Sequence, residues 1–180
     1  MPSPGEPSLS LSLSEWLVLC LITEQATHGN AIAAQLGHDG PLGQVWHVHK
    51  AVVYRSIDRL QQAGLVIAVG EEPSSRGPVR TLVEATAKGS GAARAWLARP
   101  VAHTRDIRSE LLVKLALLDR AGTSPAALLQ AQHTQLQPIA DALAGRLGAA
   151  DGFERILLLW RYETISATIR FLGALSVVQH

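Results

Sequence analysis

Apolar residues recur at helical spacing from near the start of the chain, and the period changes only once. Leu13, Trp16, Leu17, Cys20 and Leu21 stand three and four apart, which predicts a helix capped by Ser12 or Ser14 and running to about Gln25. Thr27-His28-Gly29 reads as a turn, and a short second helix, Asn30 to Leu36, closes at Gly37. A polar, glycine-bearing loop, His38 to Gln44, leads through Val45-Trp46 to a third helix. That helix is predicted from about His49 to Ala63, with Gly64 as its stop. On its wheel Val53, Ser56, Ile57 and Leu60 gather on one side. Ala51, Arg55, Asp58, Arg59 and Gln62 gather on the other, with Tyr54 at the edge. The first set is a core-facing stripe and the second a polar face rich in donors.

The period then switches. Leu65 to Val69 is β-branched and short, Glu71 to Pro78 is a Pro/Ser/Gly-rich tip, and Val79 to Glu84 is again strand-like. Two such runs around that tip make a hairpin. Three helices followed by a hairpin is the order of a winged helix-turn-helix domain, expected over residues 9–100 behind a loose Pro- and Ser-rich tail at 1–8.

From Thr86 onward every periodic segment is helical. Thr86 caps a fourth helix ending near Arg99-Pro100, and a fifth spans about Asp106 to Arg120. A sixth runs from Pro125 to Leu147, where Pro138 is expected to kink or split it. The last starts after Asp151-Gly152 and continues almost to the terminus. In it Phe153, Leu157, Trp160, Thr164, Ala167, Phe171, Ala174 and Val178 alternate steps of four and three, the pattern of a helix packing lengthwise on another. Ile156, Ile165, Ile169, Leu172 and Leu175 widen the apolar surface, so this helix requires more than one partner. The fold class is therefore mainly α with a small β-hairpin wing: a winged helix-turn-helix domain followed by a helical dimerisation domain at 101–180.

Composition narrows the function. The chain has 180 residues, 47% hydrophobic and 17% charged, enough for a packed core. No apolar run reaches the roughly 18 residues of a membrane span. Met1 to Ser8 carries Glu6 and three prolines without a positive segment, so no signal peptide and a cytoplasmic location are expected. Cys20, the one cysteine, excludes an internal disulfide and sits where a buried inert thiol is expected. Net charge is only +1, so a nucleic-acid argument rests on where the charges lie. From His47 to Arg80 five basic residues (Lys50, Arg55, Arg59, Arg76, Arg80) face three acids (Asp58, Glu71, Glu72), a local excess of +2. No phosphate-binding glycine loop, nucleophile elbow or metal-ligand cluster is present, and no enzyme, metal or cofactor is expected.

Several short motifs, in order, resemble the PadR family of transcriptional regulators. Glu15-Trp16-Leu17-Val18-Leu19 followed by His28-Gly29 resembles that family's opening helix and turn. Tyr54-Arg55-Ser56-Ile57-Asp58-Arg59-Leu60 and Gly64-Leu65-Val66 resemble its recognition helix and the start of its wing. Thr86-Ala87-Lys88-Gly89 matches its Thr-x-x-Gly helix start, and Trp96-Leu97 with Pro100 the end of that helix. The chain departs at His49, where the family has Ser or Thr as the helix cap. The resemblance implies a homodimeric repressor on an inverted-repeat operator, relieved by a small aromatic or hydrophobic effector. It also implies that Trp96, with Trp16 of the first helix, is the candidate effector contact.

On this reading the partners are double-stranded DNA and a second copy of the chain. His49, Lys50, Ala51, Tyr54 and Arg55 occupy the recognition helix's first turns, which meet base edges in the major groove. Arg59 follows on the same face, and Arg76 and Arg80 are candidate phosphate contacts of the wing. Phe153, Leu157, Trp160, Thr164, Ala167 and Phe171 are the candidate dimer interface. His47 and His49 share one face if extended, and a surface or phosphate role is expected for them rather than metal binding. The rival readings are a winged-helix protein-interaction module that does not bind DNA, and a ligand-responsive winged-helix regulator of another family.

Overall fold

The computed structural model describes residues 10–73 and 79–178, the side chains as far as 176. The expected tail at 1–8 and the hairpin-tip residue Arg76 lie outside the described residues, as does the Val178 side chain.

Helix α1 (Leu13–Glu24) starts on a reciprocal cap. The Ser12 hydroxyl accepts from the Glu15 backbone N–H, while the Glu15 carboxylate accepts from the Ser12 N–H at 2.7 Å and from its hydroxyl at 2.9 Å. Of the apolar residues expected as one stripe, Trp16, Leu17, Cys20 and Leu21 are buried and Leu13 is half-buried, but every other residue from Glu15 to Ile22 is buried too. Val18, Leu19 and Ile22 complete the circumference, and a helix apolar on all sides belongs inside. It packs on α3 (Lys50–Gln62) and on the second strand of the wing.

Helix α2 (Gly29–Leu36) is capped by His28, whose Nδ1 accepts from the Ala31 N–H at 3.1 Å. Between α2 and α3 the loop folds tightly on itself. Leu42 N–H donates to the Gln35 carbonyl, and Val48 N–H to Leu36. In α3 the residues expected to face the core, Val53, Ser56, Ile57 and Leu60, are the buried ones. Gly64 ends the helix at φ 68°, left-handed backbone that glycine adopts without strain.

The wing pairs β1 (Val66–Glu72) antiparallel with β2 (Arg80–Ala85), with an irregularity between Ala68 and Gly70. Thr27 adds a one-residue bridge to Val83, hydrogen-bonded in both directions. One residue has no period, so this bridge left no pattern to read. Thr86 then caps α4 (Ala87–Ala98): its hydroxyl accepts from the Gly89 N–H at 3.0 Å and lies 2.9 Å from the Gly64 carbonyl oxygen. A Cβ on Gly89 would stand 2.0 Å from the Leu65 carbonyl oxygen. The Thr-x-x-Gly spacing is thus a close approach of α4 to the end of the α3 turn.

The chain divides into two compact units within α4, the first ending at Trp96 and the second beginning at Leu97. In the second, the segment expected as one helix begins as a 3-10 turn (Thr104–Asp106) and a wide π-type turn (Ile107–Leu111), before α5 (Leu112–Arg120). Just after the π turn, the fully buried Lys114 pairs with Glu110 at 2.8 Å and donates to the Arg99 carbonyl at 2.8 Å. Buried Gln132 bonds both backbone groups of Val101, tying the connector to α6 (Ala126–Leu147). Helix α6 is not split at Pro138 but runs on as one element. The proline forgoes one N–H bond, and the flanking turns retain theirs. Helix α7 (Gly152–Val178) packs on α6, burying Leu158, Ile165 and Leu172, a seven-residue repeat.

Candidate nucleic-acid interface

The first two turns of α3 carry His49, Lys50, Ala51, Tyr54 and Arg55, and all five side chains are exposed. His49 stands at the N-cap and makes no side-chain cap bond. The first backbone N–H groups of α3 are therefore left without a side-chain acceptor, and they favour an anion. Tyr54 is held in two ways. Its hydroxyl donates to the Asn30 side-chain oxygen at 3.1 Å, and its ring lies against Gly29, where a Cβ would come within 2.7 Å of it. The His-Gly turn thus supplies a helix cap at His28 and a place for the Tyr54 ring at Gly29. Lys50 sits 6.0 Å from the Tyr54 ring centroid, at the outer limit of a cation–π contact.

Arg55 makes no hydrogen bond or ion pair with any described residue. Its outward position and free guanidinium suit bidentate contact with a base or a phosphate. Arg59 is engaged instead: it reaches the buried Glu15 carboxylate at 2.8 Å, tying α3 to the capped start of α1. Arg80 opens β2 opposite Glu72, and its guanidinium lies 3.3 Å from His28 Nε2. Glu72 approaches the same ring nitrogen at 3.5 Å. Since His28 Nδ1 accepts a backbone bond, a neutral ring carries its proton on Nε2, directed at that carboxylate.

Between α3 and the wing lies a groove of about 330 Å³, lined in part by Asn30, Tyr54, Asp58, Gln61, Arg80 and Thr81. Asn30, Gln61 and Thr81 were not among the sequence candidates, because the wing's approach to α3 leaves no local signature. His28 was missed as a cap because histidine is not among the usual capping residues.

The candidate effector residues Trp16 and Trp96 stack on each other, ring centroids 5.3 Å apart and planes within 5°. Both are buried. The dimer candidates Phe153, Leu157, Trp160, Thr164, Ala167 and Phe171 are all exposed, Phe153 at 76% and Trp160 at 70%. Among the described residues no helix is long and apolar enough to cross a membrane.

Several solved structures are similar to this chain. Bacillus subtilis PadR in complex with operator DNA is 16% identical, covering 93% of this chain and 99% of that one, with a TM-score of 0.48. The smu.1604c protein of Streptococcus mutans UA159 is 12% identical over 91% of this chain and 98% of its own, TM-score 0.42. Bacillus subtilis PadR in complex with p-coumaric acid is 17% identical over 91% and 93%, TM-score 0.41. No curated protein matches. The model of the transcriptional regulator PadR-like family matches residues 18–95, from within α1 through the wing and into α4. The winged-helix segment of this chain, residues 18–95, is thus similar to the PadR-like family of transcriptional regulators.

Proposed function

We propose that this protein is a homodimeric repressor that binds an inverted-repeat operator and is released from it by a small aromatic or hydrophobic effector. The observation that carries the DNA reading is Arg55, exposed on the outward face of α3 and without a partner among the described residues. Lys50, Tyr54 and the uncapped start of the helix stand beside it. In our assignment His49, Lys50, Ala51, Tyr54 and Arg55 meet the major groove, and Arg76 reaches phosphate from the wing tip. Arg59 holds the reading surface through Glu15, and Arg80 stands beside it at the start of the wing's second strand.

Dimerisation is supported by the exposed seam of α7. The residues Leu158, Ile165 and Leu172 are already buried within the chain, while Phe153, Leu157, Trp160 and Phe171 stay exposed. A second copy would cover them. An effector would reach the faces of Trp96 and Trp16 by parting their stack.

One observation favours the rival interaction module. One of the basic residues of the 47–80 segment, Arg59, is paired within the chain with Glu15, which reduces the cationic surface. Retention on mixed-sequence DNA as a function of salt separates the two. The DNA reading expects binding that weakens steeply as salt rises, through release of counterions. A chain that does not bind at low salt would refute it.

A further inference from the structure

The polar residues of α3 are put to two different uses. Tyr54 bonds Asn30, Arg59 pairs with the buried Glu15, and the Ser56 hydroxyl donates to the Val52 carbonyl. Arg55 and Asp58 are exposed, and neither has a hydrogen bond or ion pair with a described residue, nor with each other across their three-residue spacing. We propose that Asp58 is a base-reading residue that accepts from the N4 amino group of a cytosine, one base pair away from a guanine read by Arg55. Each operator half-site then carries two neighbouring G·C pairs, one read at its guanine and the other at its cytosine. This assignment rests on the DNA reading of the same helix.

The placement supports it. At about 100° per residue, Ala51, Arg55, Asp58 and Gln62 fall within a strip about 60° wide, opposite the buried Val53, Ser56, Ile57 and Leu60. Ala51 carries no hydrogen-bonding group and Gln62 ends the helix, which leaves Arg55 and Asp58 to read. They stand about 4.5 Å apart along the helix axis against a base step of about 3.4 Å, so they meet different, neighbouring base pairs. Tyr54 and Arg59 lie on either side of the strip, and their ties to Asn30 and Glu15 fix the rotation of the helix. Asp58 also lines the groove between α3 and the wing, with Gln61 and Arg80.

The charge of Asp58 selects the base. A carboxylate facing DNA is repelled by the phosphates, and that cost is offset only where it accepts from a donor on a base edge. The donors in the major groove are the N4 amino group of cytosine and the N6 amino group of adenine. Adenine sets its N7 acceptor beside N6, which opposes the second carboxylate oxygen, whereas cytosine presents the donor alone. Guanine and thymine offer acceptors at this edge, so a carboxylate rejects both. Arg55 has the opposite need and meets it in bidentate fashion at O6 and N7 of guanine. An asparagine at position 58 would keep the size of the side chain and add an amide donor, the combination that matches N6 and N7 of adenine.

The test is selection of bound sequences by the full chain from a library of random double-stranded DNA at low salt, followed by fluorescence anisotropy on the enriched duplex and its single-pair variants. The parent is expected to enrich two neighbouring G·C pairs in each half-site, and replacing either pair should weaken binding about 5- to 140-fold. Arg55→Ala should lose the preference at the first pair and keep it at the second. Asp58→Asn should keep the first and move the second from cytosine to adenine, so that it binds the changed duplex more tightly than the parent's. Both substitutions stand at exposed positions, and circular dichroism would establish that the variants remain folded. If Asp58→Asn enriches the parent's sequence, the assignment is overturned. It is also overturned if that variant disturbs only the guanine position, which would make Asp58 a positioning residue for Arg55. A parent that enriches DNA without the paired G·C steps would overturn it while leaving the DNA reading intact. A parent that enriches no duplex would refute the DNA reading and this assignment together.

Discussion

Replacing Trp160 by Ala should break the dimer without unfolding the protomer. Trp160 is 70% exposed, on the face of α7 away from Leu158, Ile165 and Leu172. Fully burying a large apolar side chain is worth roughly 1.5–3 kcal/mol, so the surface still open on Trp160 is worth about 1–2 kcal/mol. A two-fold interface contains the residue twice, which makes the loss about 2–4 kcal/mol of dimer. At 1.4 kcal/mol per tenfold, the dissociation constant rises by about 30- to 700-fold. Sedimentation equilibrium over a range of concentrations measures this directly. Far-ultraviolet dichroism should be unchanged, because α7 stays anchored to α6 by its buried seam. Ile165→Ala, on that buried seam at 4% exposure, should behave oppositely: it opens a cavity costing about 2–5 kcal/mol of protomer stability. If Trp160→Ala dimerises as tightly as the parent, the outward seam is not the interface and the dimer assignment fails.

Three further outcomes are expected. Arg55→Ala should cost about 1–3 kcal/mol in operator binding and relax discrimination at one base position, measured by fluorescence anisotropy against single-site operator variants. Equal losses on all sequences would assign Arg55 to phosphate. Gly29→Ala places a Cβ 2.7 Å from the Tyr54 ring, and an overpacked contact of this kind should cost about 1–3 kcal/mol in thermal unfolding. An unshifted melt would mean that Tyr54 moves aside freely. Ser12→Ala removes the reciprocal cap of α1 and should destabilise the domain by about 0.5–2 kcal/mol, read from urea midpoints at constant slope.

The legible parts of the fold were those where one period dominates. Val53, Ser56, Ile57 and Leu60 are buried as the wheel of α3 places them, because that helix has a single core face. Helix α1 was read as one stripe since Leu13, Trp16, Leu17, Cys20 and Leu21 form one. The residues between them are equally apolar, and only tertiary packing decides that they too are covered. The same limit applied to α7: its two seams share a seven-residue period, and sequence alone cannot assign one to α6 and the other to solvent. At the candidate site the exposed face of α3 was legible, whereas the pairing of Arg59 with Glu15 and the approach of Arg80 to His28 were not. Glu15 precedes Arg59 by more than forty residues, and His28 precedes Arg80 by more than fifty. Pairings over that distance belong to the folded chain.

These engagements bear on how an effector would act. Helix α3 is tied near its C-terminal end through Arg59 to the cap of α1, and in its middle through Tyr54 to Asn30 of α2. Turning α3 alone would break both contacts. A hydrogen bond to a charged group is worth about 1.5–3 kcal/mol and a neutral one about 0.5–1.5 kcal/mol. A ligand that reoriented α3 within its domain would have to supply that sum as differential affinity for the distorted state. Changing the separation of two intact reading units across a dimer requires no such loss. It is also sufficient, because two recognition helices bind adjacent half-sites only when their spacing matches about one turn of DNA. The economical mechanism therefore leaves the α1–α3 assembly unchanged and shifts one copy relative to the other.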